Sequence, residues 1–160
     1  MARFEFKGLD EYLKQLRDLG EHTQGYCKRA LYVGAGIVAD SIKREIGGLP
    51  THHGYIPGDA PLWTIEPAAK QGLIESMGIA TMRDDNGFIN TSVYFDGYNG
   101  VKSERYPNGQ PNQMVANAIN SGTSRRKKNP FITRGINASK SQAESAMAAF
   151  FEQDIAKNMK

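Results

Sequence analysis

A chain of 160 residues with 39% apolar and 23% charged residues has the balance of one globular domain with a core of its own, which excludes a disordered polymer. Its formal net charge of +3 excludes bulk basicity as a way of holding nucleic acid, so a polyanion contact must come from a local patch. The lone Cys27 excludes an internal disulfide and a thiolate zinc site, and its spacing suits a small buried hydrophobe. No apolar run approaches the roughly 20 residues of a membrane helix. Met1 to Glu5 lacks the apolar core of a signal peptide. The expectation is a protein made and folded in a reducing cytoplasm.

In chain order, Phe6, Leu9, Leu13 and Leu16 step at helical intervals. Asp10 is placed to N-cap a first helix over 11–19, and Gly20 to end it. A second helix carries the stripe Cys27, Leu31, Ala35, Val38, Ile42 and Ile46, and Gly47, Gly48 and Pro50 stop it. Residues 49–67 hold Pro50, Pro57, Pro61 and Pro67, His52, His53 and Trp63, and read as a long ordered loop or arm. From Leu73 the period becomes two. Met77, Ile79 and Thr81 form one run, and Ile89, Thr91, Val93 and Phe95 share a face of a second. Asn86-Gly87 between them is a hairpin signal.

Residues 97–113 are rich in Gly, Asn and Pro and read as a further loop, after which Pro111 opens a short helix with Met114, Val115, Ala118 and Ile119 apolar. A basic loop over 121–130 follows. The last helix then carries Ile132, Ile136, Ala143, Met147, Phe151 and Ile155, with Lys157 and Lys160 suited to the negative end of its dipole. The order α-α-β-β-α-α predicts a single α+β domain over 1–160, its N-terminal helices and long C-terminal helix packed on a small antiparallel sheet.

The residues offer little for chemistry. Gly34-Ala35-Gly36-Ile37-Val38-Ala39 fits a dinucleotide-binding string, but that fingerprint needs a preceding strand, and here the helical stripe runs through the glycines. They are read as a close helix contact. Adjacent His52 and His53 in an extended segment point to opposite sides and make a poor metal pair. A nuclease built on His52, His53 and Asp59 is a minor reading. No serine lies in a nucleophile elbow, and no acid/base pair emerges from the carboxylates. No enzyme activity, cofactor or metal is expected. Tyr94, Tyr98 and Tyr106 are read as filling the sheet face and loop rather than stacking bases.

The most informative stretch is Asn117 to Arg134, N-A-I-N-S-G-T-S-R-R-K-K-N-P-F-I-T-R. An apolar run enters the turn Ser121-Gly122-Thr123. Four cations follow, Arg125, Arg126, Lys127 and Lys128, and Asn129-Pro130-Phe131 leads into the last helix. A basic loop between two ordered elements is a surface for touching other subunits or a polyanion. Sequence-specific DNA reading is not expected, because no helix-turn-helix spacing surrounds it.

This order of features resembles the neck, or tail-completion, proteins of tailed bacteriophages. The resemblance covers nearly the whole chain through short motifs. Phe6-Lys7-Gly8-Leu9-Asp10-Glu11 is similar to the opening helix, Gly34 to Ala39 to the centre of the long helix, and Gly72 to Met77 to the lead into the sheet. The most specific piece is Asn120-Ser121-Gly122-Thr123 followed by Pro130-Phe131-Ile132-Thr133-Arg134-Gly135. Asn120 stands where the family often has an acid, and Gly135 where it often has proline.

The resemblance implies a structural virion protein that assembles into a ring, hexameric by expectation. Its neighbours would be the head-closure or connector protein and a tail-terminator or tail-tube protein, with sequence-blind contact to the DNA that passes through. Gly122, Thr123, Pro130 and Phe131 are expected to anchor the fold, and Arg125 to Lys128 to face an interface or the lumen. The rival expectation is a non-specific nucleic-acid-binding accessory protein acting through Arg125 to Lys128.

Overall fold

The computed structural model describes residues 9–54, 56–58, 61–86 and 88–158, with side chains other than those of 9–19, 21 and 88. One helix, α1 (Leu9–Gly47), replaces the two expected from the sequence. Gly20 lies inside it rather than beyond its end, and Asp10 lies within the helix rather than capping it. A lone glycine costs a helix about 1 kcal/mol against alanine, too little to break one flanked by good helix formers such as Leu19, Glu21 and Gln24. The expected stripe of Phe6, Leu9, Leu13 and Leu16 falls outside the described side chains.

α1 is about 58 Å long and runs antiparallel to α4 (Phe131–Asn158). The direction follows from the contacts: Arg29 Nε donates to Asp154 at 2.7 Å, Gly34 lies against Met147, Ile42 against Gly135, and Arg134 Nε donates to Glu45 at 2.7 Å. Both glycines serve the crossing. A Cβ on Gly34 would stand 2.5 Å from the Met147 sulfur, and one on Gly135 would stand 2.8–3.0 Å from the Ile42 side chain and backbone. The expected close helix contact at Gly34 is present.

The chain leaves α1 at Gly47, where Lys70 Nζ donates to the carbonyls of Gly47 (2.6 Å) and Leu49 (3.0 Å), a cation on the negative end of the helix. Lys70 belongs to α2 (Pro67–Ser76), a helix the sequence reading missed, with Pro67 in its first turn and Ala69 and Leu73 buried. The described residues hold four helices, the number expected, because the merged first pair and the added α2 offset each other.

The hairpin follows. β1 (Met77–Ile79) pairs antiparallel with β4 (Val93–Phe95), and β2 (Arg83–Asp85) with β3 (Phe88–Asn90). Ile79 faces Val93 while Arg83 faces Asn90, so residues 80–82 oppose only 91–92. That extra residue is a bulge, and it reverses which side chains face inward. Thr81 is accordingly exposed and Met82 partly buried, against the expected alternation. On the other arm the expected face holds: Ile89, Thr91, Val93 and Phe95 are partly or fully buried, while Asn90, Ser92 and Tyr94 are exposed. Asn86 turns the hairpin at φ 55°, as the first position of a two-residue hairpin loop requires.

α3 (Asn112–Ser121) begins after Pro111 and buries Val115, Ala116 and Ile119. Its Met114 is 38% exposed, and Ile136 of α4 is 42% exposed. Both were expected inside. Cys27 is also only partly buried. The main core gathers at one end of the helix pair, where Ile42, Ile46, Leu49, Ile65, Leu73, Phe95, Val115, Ile119 and Phe131 close on one another. The result is the expected α+β arrangement of helices on a small antiparallel sheet. No helix among the described residues is long and apolar enough to cross a membrane.

Candidate interaction surface

The surface is built on the junction between α3 and α4. Gly122 caps α3 at φ 79°, and its N–H donates to the Ala118 carbonyl at 3.0 Å. A side chain there would be strained by the positive φ and would meet the backbone of Lys128 at 3.0–3.2 Å. Thr123 and Arg126 then exchange backbone hydrogen bonds of 2.8 and 3.2 Å, closing a tight turn around Ser124 and Arg125. The Thr123 hydroxyl accepts from the Arg125 N–H at 3.3 Å.

After the turn the chain is returned to the core. Asn129 N–H donates to the Ile119 carbonyl at 2.8 Å, and Asn120 Oδ1 accepts from the Ile132 N–H at 3.1 Å. Asn120 thus satisfies an open donor in the first turn of α4 from a neighbouring helix. Pro130 stands immediately before α4, its carbonyl accepting from Arg134 N–H at 3.0 Å. Phe131 has no exposed surface and meets Phe95 edge to face at 6.4 Å. Gly122, Thr123, Pro130 and Phe131 therefore all lie within one locked unit.

The four cations do not act together. Leu62 N–H donates to the Arg125 carbonyl (2.9 Å) and Lys127 N–H to the Leu62 carbonyl (2.8 Å), a parallel bridge between Leu62 and Arg126. In such a bridge the two partners share a face. Arg126 accordingly turns inward with Leu62, and both line one cavity with His52 and Glu66. Its guanidinium donates to the Thr64 carbonyl at 2.9 Å, and burial pulls its pKa below the ordinary arginine value. Arg126, expected on an interface or lumen with the other three, is partly buried and ties the Pro-rich segment to the basic turn. Arg125, Lys127 and Lys128 are exposed.

The outward neighbour of Leu62 is Trp63, 65% exposed. The backbone bonds between Leu62 and residues 125 and 127 set it beside the basic turn. Sequence reading did not find it, because the pairing that brings residue 63 to residues 125 and 127 is long-range. The Pro-rich segment itself folds back rather than reaching out as an arm: His52 N–H donates to Ile65 and Ile65 N–H to Pro50, each at 3.0 Å.

The other candidates stay apart. His52 is partly buried and His53 exposed, and Asp59 lies outside the described residues. Among those residues no three His, Cys, Asp or Glu side chains come close enough to hold a metal ion. Tyr94 and Tyr98 are 39% and 65% exposed and do not fill the sheet face and loop as expected, whereas Tyr106 is partly buried. Compared with protein-family models, with curated proteins and with solved structures, the chain finds no match.

Proposed function

We propose that the chain is a structural subunit of the neck of a tailed bacteriophage, joining the head connector to the tail without catalytic activity. The observation that carries this reading is the α3–α4 junction. The residues that bear the strongest resemblance each have a structural task there: Asn120 satisfies a donor of α4, Gly122 and Thr123 shape the turn, and Pro130 and Phe131 start α4 in the core. The departures from the family pattern fit the same plan. Asn120 supplies the oxygen acceptor that an acid would supply, and Gly135 sits where α1 leaves no room for a side chain.

A ring needs two different patches on each subunit, because its interfaces are heterologous. An apolar groove lined by Leu31, Val38, Val93, Ile132, Ile136 and Met147 offers one, and the basic turn with Trp63 offers another. In this reading the ring is hexameric and lies between the head-closure or connector protein and a tail-terminator or tail-tube protein. The outward cations then touch passing DNA without reading its sequence. The test is negative-stain imaging of particles made with and without the protein. Heads and tails that separate in its absence, and regain ring density when it is supplied, are the expected result. Intact infectious particles without it would overturn the joining role.

The exposure of Arg125, Lys127 and Lys128 favours one other reading, a nucleic-acid-binding accessory protein. That reading requires the isolated chain to bind DNA with a steep salt dependence that alanines at these positions remove.

A further inference from the structure

We propose that the outer face of the basic turn is a binding site for single-stranded nucleic acid, with the Trp63 indole stacking on an unpaired base while Arg125 and Lys127 hold the flanking phosphates. The inference does not rest on the neck reading. It rests on a juxtaposition made by the fold: the Leu62–Arg126 bridge joins the segment that carries Trp63 to the basic turn, with backbone bonds from Leu62 to residues 125 and 127. Leu62 and Arg126 line one cavity, while Trp63, Arg125 and Lys127 are exposed.

Two observations give the occupant its chemistry. The first is charge. From Arg105 to Ala143 the sequence has seven Lys and Arg and no Asp or Glu. Arg134 is paired with Glu45 and Arg126 is turned inward. Among the described residues, Arg125, Lys127 and Lys128 form no ion pair. The turn therefore carries three exposed cations without an ion-pair partner among the described residues, which suits a polyanion.

The second is the indole. A tryptophan that is 65% exposed leaves a large apolar π-surface in water, and a polyanion recognised by charge alone would leave it there. A base offers a flat apolar partner for that ring, and stacking of this kind tolerates any sequence. In a duplex the base faces are already covered by their neighbours, so the ring selects an unpaired base.

Trp63 is the only tryptophan, so its fluorescence reports the site in the full-length protein. The experiment titrates the protein at low salt with an oligothymidylate, with a duplex of equal length and with heparin. The expected result is saturable quenching by the single strand, bound on the order of ten-fold more tightly than the duplex. Anisotropy of a labelled oligothymidylate then compares variants whose unfolding curves match the parent. Trp63→Ala is expected to weaken binding on the order of ten-fold and Trp63→Phe to restore most of it. Arg125→Ala with Lys127→Ala should weaken binding and flatten its salt dependence. Equal binding of duplex, heparin and single strand, or unchanged affinity in Trp63→Ala, would reduce the face to a charged patch and overturn the proposal. Absence of quenching together with loss of self-association in Trp63→Ala would overturn it in favour of a protein interface.

Discussion

The α3–α4 junction and the outer face of the basic turn are a few residues apart, and they are held by different physics. At the junction, Phe131 is closed against Phe95 and the core, Gly135 lies against Ile42, and Asn120 binds the first turn of α4. Each of those contacts replaces water. On the outer face, backbone hydrogen bonds to Leu62 fix where the chain runs, and Arg125, Lys127 and Trp63 are left in solvent. Arg126 marks the boundary, a cation spent on holding the Pro-rich segment rather than on the surface. Four cations in a row are therefore not one patch. The Leu62–Arg126 bridge turns Arg126 toward the Pro-rich segment and leaves the other three in solvent, so the junction can be rigid while the face that it presents is free to make contacts.

That contrast can be broken by substitution. The largest loss is expected for Phe131→Ala, about 3–5 kcal/mol by chemical denaturation, because a fully buried ring leaves a cavity between both layers. A loss under about 1 kcal/mol would show the ring is not in the core. Gly135→Ala comes next, roughly 1–3 kcal/mol, since the added methyl meets α1 backbone that cannot step aside. Gly34→Ala sharpens this comparison: its obstacle is the flexible Met147 side chain, so thermal unfolding should move less than for Gly135→Ala.

Arg126→Ala is expected to cost about 1–2 kcal/mol, the range of a partly buried charged hydrogen bond, and to speed proteolysis within 49–67. Asn120→Ala should cost about 1 kcal/mol and Asn120→Asp much less, because an acceptor oxygen remains beside the start of α4. Arg125→Ala and Lys127→Ala close the series, each within about 0.5 kcal/mol.

The helices and the hairpin were legible in sequence where a local rule governs them. Pro111 and Gly122 bracket α3, Gly47 stops α1, and Asn86 turns the hairpin. Local rules failed where a partner outweighs them. Gly20 carries the usual sign of a helix end, but α1 runs through it because the penalty of one glycine is small. The Pro67 helix is hidden in sequence because residues 49–67 read as loop and the run from Leu73 as period two, whereas Pro67 stands in the first helical turn, a position that favours helix. The bulge at Thr81 and Met82 arises from strand register, which periodicity along one strand does not contain.

For the site, the turn at Gly122 was legible because turn geometry is local, and the burial of Phe131 because a large apolar residue at a helix start calls for a core. Neither the inward turn of Arg126 nor the presence of Trp63 could be read there. Both depend on pairing between residues 62 and 126, which are remote in the chain.

The most direct measurement on this division of labour compares Arg126→Ala with the double variant Arg125→Ala and Lys127→Ala, reading unfolding free energy and single-strand affinity on the same samples. Arg126→Ala is expected to lose stability and keep binding wherever it stays folded, while the double variant is expected to keep stability and lose binding. Equal losses of binding at all three positions, with stability unchanged throughout, would contradict it and return the four cations to a single solvated cluster.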